Sequence, residues 1–309
     1  MARLTHIVRA QQFDLELLTE IFLVAEEMEQ VVQHYGSNIL SRRVMATLFY
    51  EPSTRTRLSF ESAMKRLGGD VITTESAQEF SSAAKGETLE DTIRIVSGYT
   101  DLIVLRHFES GASQRAASVA AVPIINAGDG AGQHPTQALL DMYTIKREIG
   151  RLDGISIAMV GDLANGRTVR SLCYLLAKYK DIRIYFVSPP VVRMKDDIKD
   201  YLAHQGIFFA EEEGLHKIAS EVDVIYQTRI QRERFGDRIS DYEQARGHYI
   251  IDQALLDCLP EKSIVMHPLP RLDEIVAAEV DADPRAAYFR QAHNGLYVRM
   301  ALLKMILAG

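Results

Sequence analysis

The chain is poor in cysteine, with only Cys173 and Cys258 among its 309 residues. The two residues lie far apart in apolar surroundings, which favours reduced, buried thiols over a disulfide framework or a metal cluster. Long apolar runs are also lacking: none approaches membrane-spanning length, and the N-terminus has no signal-peptide core. We therefore expect no membrane partner and a cytoplasmic location, with a plastid as the alternative if a transit peptide has been removed.

An excess of positive charge is lacking as well. The chain has 35 basic and 42 acidic residues and a net charge of −7, which argues against nucleic acid as a partner. We find no internal repeat, low-complexity tract or long linker in the sequence. With 47% hydrophobic residues the chain can bury a large core, and its length favours two domains over one.

What the sequence does contain is the string Phe-Tyr-Glu-Pro-Ser-Thr-Arg-Thr-Arg at residues 49–57. The apolar, partly β-branched run before it predicts a buried strand, and Phe60, Met64 and Leu67 after it form one stripe of an amphipathic helix. Pro52 fits inside neither element, so the hydroxyl and guanidinium groups of the string lie at a strand-to-helix junction.

This junction predicts a phosphate site. Ser53 or Thr54 is a natural N-cap, and the amides that follow are donors at the positive end of the helix. Such donors, hydroxyls and an arginine together suit a phosphate, although a capped helix with solvated arginines is the ordinary interpretation of the pattern by itself. Arg55 and Arg57 leave a helix about 200° apart, so we assign Arg55 to the ligand and Arg57 to a structural ion pair.

Strand and helix signals alternate along the rest of the chain, and the alternation restarts around Gly150–Gly154. This pattern predicts an α/β protein with two doubly wound domains, each a mainly parallel sheet flanked by helices. We expect the first domain at 1–149 and the second at 150–291, before a last amphipathic helix at 292–309. The predicted strands are 44–50, 71–74, 101–105 and 122–126 in the first domain, and 155–160, 182–187, 206–209, 222–227 and 264–266 in the second.

Polar groups follow several of these strands. Arg106 follows the third strand, and open α/β sheets bind ligands at the C-terminal ends of their strands. His134 and Gln137 share one face of a helix that begins at Pro135. For an isolated histidine, a structural hydrogen bond is the commoner role. Two prolines within 267–271 prevent regular hydrogen bonding and leave carbonyls able to accept from an ammonium or amide group.

Three other stretches have an ordinary interpretation by themselves. Residues 75–87 are polar and alanine-rich, and their apolar residues follow neither the helical nor the strand period. This composition predicts a mobile loop in which Lys85 is a solvated lysine. The composition of residues 228–234 is typical of a charged surface loop. The turn from Gly161 to Gly166 looks like a dinucleotide-binding turn, but only these two glycines of the G-x-G-x-x-G pattern are present, and we exclude a nicotinamide site there.

The string at 49–57 closely resembles the carbamoyl-phosphate signature of the aspartate and ornithine carbamoyltransferases. Further matches follow in the family's order: Ser-x-x-x-Lys-Gly-Glu-Thr at 81–88, His-Pro-x-Gln at 134–137, Thr-Arg-Ile-Gln-Arg-Glu-Arg at 228–234 and His-Pro-Leu-Pro at 267–270. The resemblance covers essentially the whole chain. It favours the aspartate branch, because the ornithine enzymes usually carry a cysteine in the last string and lack the Lys-Gly-Glu loop.

The resemblance implies transfer of the carbamoyl group of carbamoyl phosphate to the amine of L-aspartate in pyrimidine synthesis. This reaction requires no cofactor and no metal. By analogy with the family, the departing phosphate takes the proton of the amine. The residues implied to hold the phosphate are Ser53, Thr54, Arg55, Thr56, Ser81 and Lys85, and Ser82 is left open. Those implied to contact the carbamoyl group are Thr56, Arg106, His134, Gln137 and the carbonyls of Pro268 and Leu269.

Other residues are implied to bind the second substrate. Arg167, Arg229 and Gln231 would hold the two aspartate carboxylates. Glu51 would reach Arg167 and Arg234 when the domains close. The four residues with catalytic roles are then Thr56, Lys85, Arg106 and His134.

The resemblance also implies an assembly. The family forms homotrimers with shared sites, so Ser81 and Lys85 would serve the adjacent chain, and the last helix would pack back on the first domain. Regulatory chains or other pyrimidine enzymes as partners are left open. A catalytically silent scaffold is the alternative from another functional class. The residues that argue against it are the intact Ser53, Arg55, Lys85, Arg106 and His134.

Overall fold

The structure is a computed structural model that describes residues 4–77, 86–230, 232, 235, 237, 239–245, 247 and 249–308. The chain forms two compact units, Met1–Leu140 with His293–Gly309, and Asp141–Ala292. We call them unit 1 and unit 2. The division falls after Leu140, whereas the sequence analysis placed the domain boundary after residue 149.

Strands and helices alternate along the described ranges. The strands are β1 (Val44–Phe49), β2 (Asp70–Glu75), β3 (Leu102–His107), β4 (Ile124–Asp129), β5 (Ser156–Val160), β6 (Arg183–Val187), β7 (Phe208–Glu212), β8 (Val224–Gln227) and β9 (Ile264–Met266). The helices are α1 (Leu15–Gln33), α2 (Thr54–Arg66), α3 (Leu89–Ser97), α4 (Ala112–Val119), α5 (Pro135–Ile149), α6 (Arg167–Leu176), α7 (Asp196–His204), α8 (Leu215–Ile218), α9 (Ile239–Ala245), α10 (Gln253–Cys258), α11 (Ala277–Val280) and α12 (Tyr288–Leu307). None of these described helices combines the length and the apolar character that a membrane span requires.

Unit 1 is built on a parallel sheet with the strand order β2-β1-β3-β4. The inner strands β1 and β3 are almost entirely buried, as expected for parallel strands covered on both faces. Helix α2 packs Phe60, Met64 and Leu67 into the core with no exposed surface, which confirms the predicted stripe. The edge strand β2 is largely exposed.

The C-terminal helix belongs to unit 1 from His293 onward. Val298, Ala301 and Leu302 are fully buried, and Lys304 Nζ lies 2.6 Å from the carboxylate of Glu27 on α1. The Arg299 guanidinium lies over the ring of Phe60 on α2, 5.1 Å from the ring centroid. This arrangement confirms that the last helix packs back on the first domain.

Unit 2 has a second parallel sheet, with the strand order β7-β6-β5-β8-β9. Its core contains side chains of β5 and of its neighbours β6 and β8, among them Ala158, Val187 and Ile225. The two parallel sheets with flanking helices confirm the predicted α/β class.

Two predictions in unit 2 were wrong. Strand β7 begins at Phe208 and ends at Glu212, not at 206–209, because Gly206 ends helix α7 with a left-handed φ of 69°. The acidic end of β7 gave no apolar signal, since an edge strand tolerates polar residues. Cys258 is exposed, whereas Cys173 is buried as predicted. Cys258 ends α10, in which Leu255 and Leu256 take the buried positions.

A glycine substitution tests how tightly the turn after β5 is packed. Gly161 has a φ of +108°, and a Cβ there would lie 2.3 Å from the Thr228 carbonyl oxygen. Gly154 also has a positive φ of +68°, but a Cβ there meets nothing within 4 Å. We expect Gly154→Ala to cost about 1–2 kcal/mol for the left-handed backbone alone. Gly161→Ala should cost about 1–3 kcal/mol more because Thr228 must shift.

The measurement is the melting temperature of both variants beside the wild type. Both glycines have a positive φ, so the difference between the variants reports the collision with Thr228 together with the added strain of a side chain at a φ of +108°. Equal melting temperatures would show that the turn relaxes without cost.

Candidate active site

The expected phosphate residues lie at the carboxyl edge of the unit 1 sheet. The chain leaves β1 toward β2 on one side and returns to β3 on the other, so β1 and β3 flank a topological switch point. The two strand ends are adjacent, since the Tyr50 amide donates to the Arg106 carbonyl at 2.9 Å. Open α/β sheets bind ligands in the crevice at such a point.

Helix α2 directs its N-terminus to this crevice edge. Ser53 occupies the N-cap position, as predicted, but its side chain accepts no bond from the helix amides. Thr54 and Arg55 are exposed in the first turn, and Thr56 is buried. The first-turn amides of this thirteen-residue helix thus lack the side-chain cap that would compete with an anion.

Arg57 is held away from Arg55 by a polar network. Its guanidinium lies 3.2 Å from Glu61 and 2.9 Å from Glu75, which confirms the predicted structural ion pair. The Thr73 hydroxyl donates to the same Glu61 at 2.7 Å. This network ties the start of α2 to the end of β2.

Arg106 is oriented by two groups of unit 1. Its Nη1 donates to the carbonyl of Ala127 on β4 at 3.2 Å, and its Nη2 lies 3.4 Å from a carboxylate oxygen of Glu51. The side chain is 13% exposed, so little of the guanidinium surface faces water. A guanidinium in this position can donate to an oxygen at the crevice.

His134 and Gln137 lie at the start of α5, and both are buried. The Gln137 amide donates to the His134 carbonyl at 3.0 Å, which fixes both residues on the first turn. The residue before them is anchored as well, because the Gln133 side chain accepts from the Ala10 amide at 2.6 Å and its own amide donates to Asp129 at 2.9 Å. The helix start is therefore rigidly placed.

Unit 2 has a switch point of its own. The chain runs from β5 to β6 and β7 on one side and continues to β8 and β9 on the other. Arg167 begins the helix after β5, and Arg229 follows β8, so both predicted carboxylate ligands flank this point. Thr228 holds the second segment to the first, because its amide and hydroxyl both lie 2.8 Å from the Val160 carbonyl. Arg229 lines a pocket together with Tyr249 and Asp273.

The His-Pro-Leu-Pro segment follows β9. His267 is buried, whereas Pro268 and Leu269 are half-buried. The Leu269 amide donates to His267 Nδ1 at 2.8 Å, and the His267 amide donates to Gln291 Oε1 at 2.8 Å. The first bond fixes the peptide group of the Pro268 carbonyl, one of the two carbonyls predicted from the sequence to contact the carbamoyl group.

Several predicted residues lie outside the described ranges: Ser81, Ser82, Lys85, Gln231 and Arg234. Their roles stay predictions, as does domain closure through Glu51. Among the residues that the structure describes, no three histidine, cysteine, aspartate or glutamate side chains are placed to hold a metal ion.

The residues that support the site were not predicted from the sequence. Gln133 could have been found, because it directly precedes the His-Pro-x-Gln string. Glu274, Gln291 and Asp141 carried no signal, since each reaches its partner from another element of the fold.

Two family models match the chain. The aspartate/ornithine carbamoyltransferase, carbamoyl-P binding domain matches residues 5–147. The aspartate/ornithine carbamoyltransferase, Asp/Orn binding domain matches residues 153–306. Together they cover nearly all of the chain.

Curated relatives and solved structures agree with these models. A chloroplastic aspartate carbamoyltransferase of Arabidopsis thaliana is 68% identical over 99% of this chain and 78% of its own length. The aspartate carbamoyltransferase catalytic subunit of Methanocaldococcus jannaschii is 50% identical, covering 98% of this chain and 97% of the relative. Aspartate transcarbamoylase of Trypanosoma cruzi, solved with N-(phosphonacetyl)-L-aspartic acid, superimposes with a TM-score of 0.93 at 43% identity, covering 99% and 96% of the two chains.

Proposed function

The chain belongs to the aspartate/ornithine carbamoyltransferase family, and on that premise we infer that it transfers the carbamoyl group of carbamoyl phosphate to L-aspartate. The products are N-carbamoyl-L-aspartate and phosphate, an early step of pyrimidine synthesis. The observation that carries this inference is the placement of Arg106 beside the start of α2 at the switch point of unit 1. An anion site and a donor to the reacting carbonyl meet there.

The phosphate is held by the N-terminal turn of α2. Its backbone amides, the hydroxyls of Ser53, Thr54 and Thr56, and the Arg55 guanidinium present donors at the positive end of the helix dipole. Ser81 and Lys85 add to this subsite from the segment outside the described residues. The absence of a side-chain cap at Ser53 supports this role, because the amides do not have to release one before the phosphate binds.

The carbamoyl carbonyl oxygen accepts from Thr56, Arg106 and His134. As the amine attacks, this oxygen becomes negative, and donors that are already oriented stabilise it without reorganisation. The Ala127 and Glu51 contacts of Arg106 supply that orientation. Gln137 and the carbonyls of Pro268 and Leu269 orient the carbamoyl NH₂, and the departing phosphate takes the proton of the amine.

L-Aspartate is bound by Arg167 and Arg229 together with Gln231. Guanidinium groups suit carboxylates because their paired N–H groups match the two oxygens. The switch point of unit 2 supports this subsite, since it brings the start of α6 and the segment after β8 to one edge of the sheet. Ornithine has a cationic side chain in place of the second carboxylate, and two arginines disfavour it.

The assembly is a homotrimer in which Ser81 and Lys85 serve the adjacent chain. Exposed apolar side chains on the elements around the segment 78–85 support a contact with another copy: Leu58, Ile72, Ile95 and Tyr99 are 44–66% exposed. The exposed edge strand β2 supports it as well. The names of the plant relatives support a plastid location over the cytoplasm that composition led us to expect.

The test of this function is turnover with L-aspartate against L-ornithine, measured by the colour reaction for carbamoyl amino acids. We expect carbamoyl-aspartate and no carbamoyl-ornithine. Turnover of ornithine alone would move the chain to the other branch of the family, and no turnover of either would favour a silent scaffold.

A substitution separates the two substrates. Arg229→Ala should raise the KM for aspartate about ten- to hundredfold, because a charge-assisted bond to a carboxylate is lost. The dissociation constant of carbamoyl phosphate should barely change. Arg232 is exposed three residues further on, and Arg232→Ala is the matched control with unchanged kinetics. Equal damage to both substrates by Arg229→Ala would show that the segment has a general structural role.

A further inference from the structure

One buried carboxylate holds two points of the segment that follows β9. Glu274 Oε1 accepts from His267 Nε2 at 2.8 Å, and Glu274 Oε2 accepts from the Leu272 amide at 3.1 Å. The His267 and Glu274 side chains are 1% and 9% exposed. At its other nitrogen the same imidazole accepts from the Leu269 amide at 2.8 Å.

These partners determine the tautomer of His267. A backbone amide can only donate, so Nδ1 must present its lone pair to Leu269 and Nε2 must carry the hydrogen. Burial lowers the pKa of His267, and the hydrogen bond to Glu274 opposes this only in part, which keeps the ring neutral. Burial alone would raise the pKa of Glu274, but the bonds from His267 and the backbone outweigh it, so the carboxylate stays ionised.

The rest of the segment is fixed independently. The His267 amide donates to Gln291 Oε1 at 2.8 Å, and Gln291 Nε2 donates to Asp141 at 2.7 Å. Arg271 donates to the Tyr288 hydroxyl at 2.9 Å and pairs with the carboxylate of Asp281. Both ends of the segment are therefore anchored, and Glu274 and His267 orient the peptide groups between them.

The Leu269 amide and the Pro268 carbonyl belong to one peptide group. Because that group is planar and trans, its N–H and C=O point in opposite directions. Holding the Leu269 N–H on His267 Nδ1 therefore directs the Pro268 carbonyl away from the ring.

We propose that Glu274 is a positioning residue for carbamoyl transfer, acting through the His267 ring and the Leu269 amide to aim the Pro268 carbonyl at the carbamoyl NH₂. This inference rests on the proposed function, in which that carbonyl contacts the substrate.

The position requires a carboxylate, not merely a polar group of the same shape. Glu274 receives two donors, the His267 ring and the Leu272 amide, and a carboxylate alone accepts at both oxygens. In Glu274→Gln the side-chain amide can take two orientations. If its oxygen faces His267, its NH₂ group faces the Leu272 N–H, and two donors then meet. The opposite orientation places NH₂ against His267 and forces the hydrogen onto Nδ1, where it meets the Leu269 N–H. Either way one backbone donor loses its acceptor.

The experiment compares binding of carbamoyl phosphate and of inorganic phosphate to the wild-type chain and to Glu274→Gln by calorimetry. Phosphate lacks the NH₂ group, so its affinity should not change. Carbamoyl phosphate affinity, and kcat/KM with it, should fall about ten- to hundredfold. Asp283→Asn is the matched control, since it removes a half-buried carboxylate of unit 2 that pairs with Arg285, and it should alter neither affinity. Equal losses for both ligands would overturn the proposal.

A second pair of variants keeps the test decisive if Glu274→Gln does not fold. In His267→Asn the side-chain oxygen takes the place of Nδ1 and still accepts from Leu269, whereas His267→Gln keeps only the donor to Glu274. The asparagine variant should therefore retain more carbamoyl phosphate affinity, and the reverse order would contradict the proposal.

Nitrogen NMR of the wild type adds an independent readout. It should show His267 as the Nε2–H tautomer, and an Nδ1–H tautomer would also refute the positioning role. Failure of the proposed function looks different, since the wild type itself would then form no carbamoyl-aspartate.

Discussion

Mixing two inactive variants, Lys85→Ala and Arg55→Ala, should restore carbamoyl transfer. Each homotrimer lacks one phosphate ligand at every site, so each should be nearly inactive. A lysine on an alanine-rich segment loses about 1.5–2 kcal/mol of side-chain entropy on ordering, and a neighbouring chain can provide that ordering. The two variants are unfolded together and reassembled. A site then regains both side chains that hold the phosphate wherever one chain supplies an intact Lys85 and its neighbour supplies an intact Arg55.

The size of the recovery follows from random assembly. With equal amounts of the two chains in a closed ring, about one quarter of the sites combine an intact pocket with an intact neighbour. The measurement is the carbamoyl-aspartate assay on the mixture and on each parent treated alike. Arg55→Ala mixed with Arg106→Ala is the control, because both lesions lie in the same pocket and no pairing repairs it. A Lys85→Ala mixture as inactive as its parents would place the whole site within one chain.

Removing an oxyanion donor should have the second large effect. Arg106→Ala and His134→Ala should each lower kcat about 10²–10³-fold, since a preoriented donor to the developing negative oxygen is lost. Arg106→Lys should not rescue activity. Its ammonium cannot replace a planar group that contacts both the Ala127 carbonyl and the Glu51 carboxylate.

The measurement is turnover at saturating concentrations of both substrates, with the melting temperature recorded beside it. Arg115→Ala is the control in the same unit, because Arg115 pairs at the surface with the half-buried Glu90 and the exposed Glu109. Its kcat should equal that of the wild type. A loss below tenfold in His134→Ala, with an unchanged melting temperature, would remove His134 from the oxyanion site.

Local patterns in the sequence predicted the elements that carry their own periodicity. The stripe of Phe60, Met64 and Leu67 placed α2, and the angle between Arg55 and Arg57 on a helix assigned Arg57 to its ion pair. The bounds of β9 were predicted to the residue, because its apolar run is closed by prolines. In each case residues close together in the sequence were enough for the prediction.

The sequence could not predict features that depend on distant partners. Gln291 and Asp141 are 150 residues apart and meet only in the folded chain. Ser53 has the right residue type for a side-chain cap, yet its backbone dihedrals differ from those of a capping residue and the bond is absent. Strand order is a further example, since the switch points that place Arg106 and Arg229 follow from how the strands assemble.

The two-segment composition of unit 1 affects how the chain folds on the ribosome. Unit 1 begins first but is completed last, because its second segment, His293–Gly309, is made only after all of Asp141–Ala292. At about 5–20 residues per second that interval lasts about 8–30 s. During it the α2 surface around Phe60, which Arg299 later covers, has no C-terminal helix against it. A nascent chain in this state offers a chaperone a binding site, whereas unit 2 is one continuous segment that can fold as soon as it has emerged.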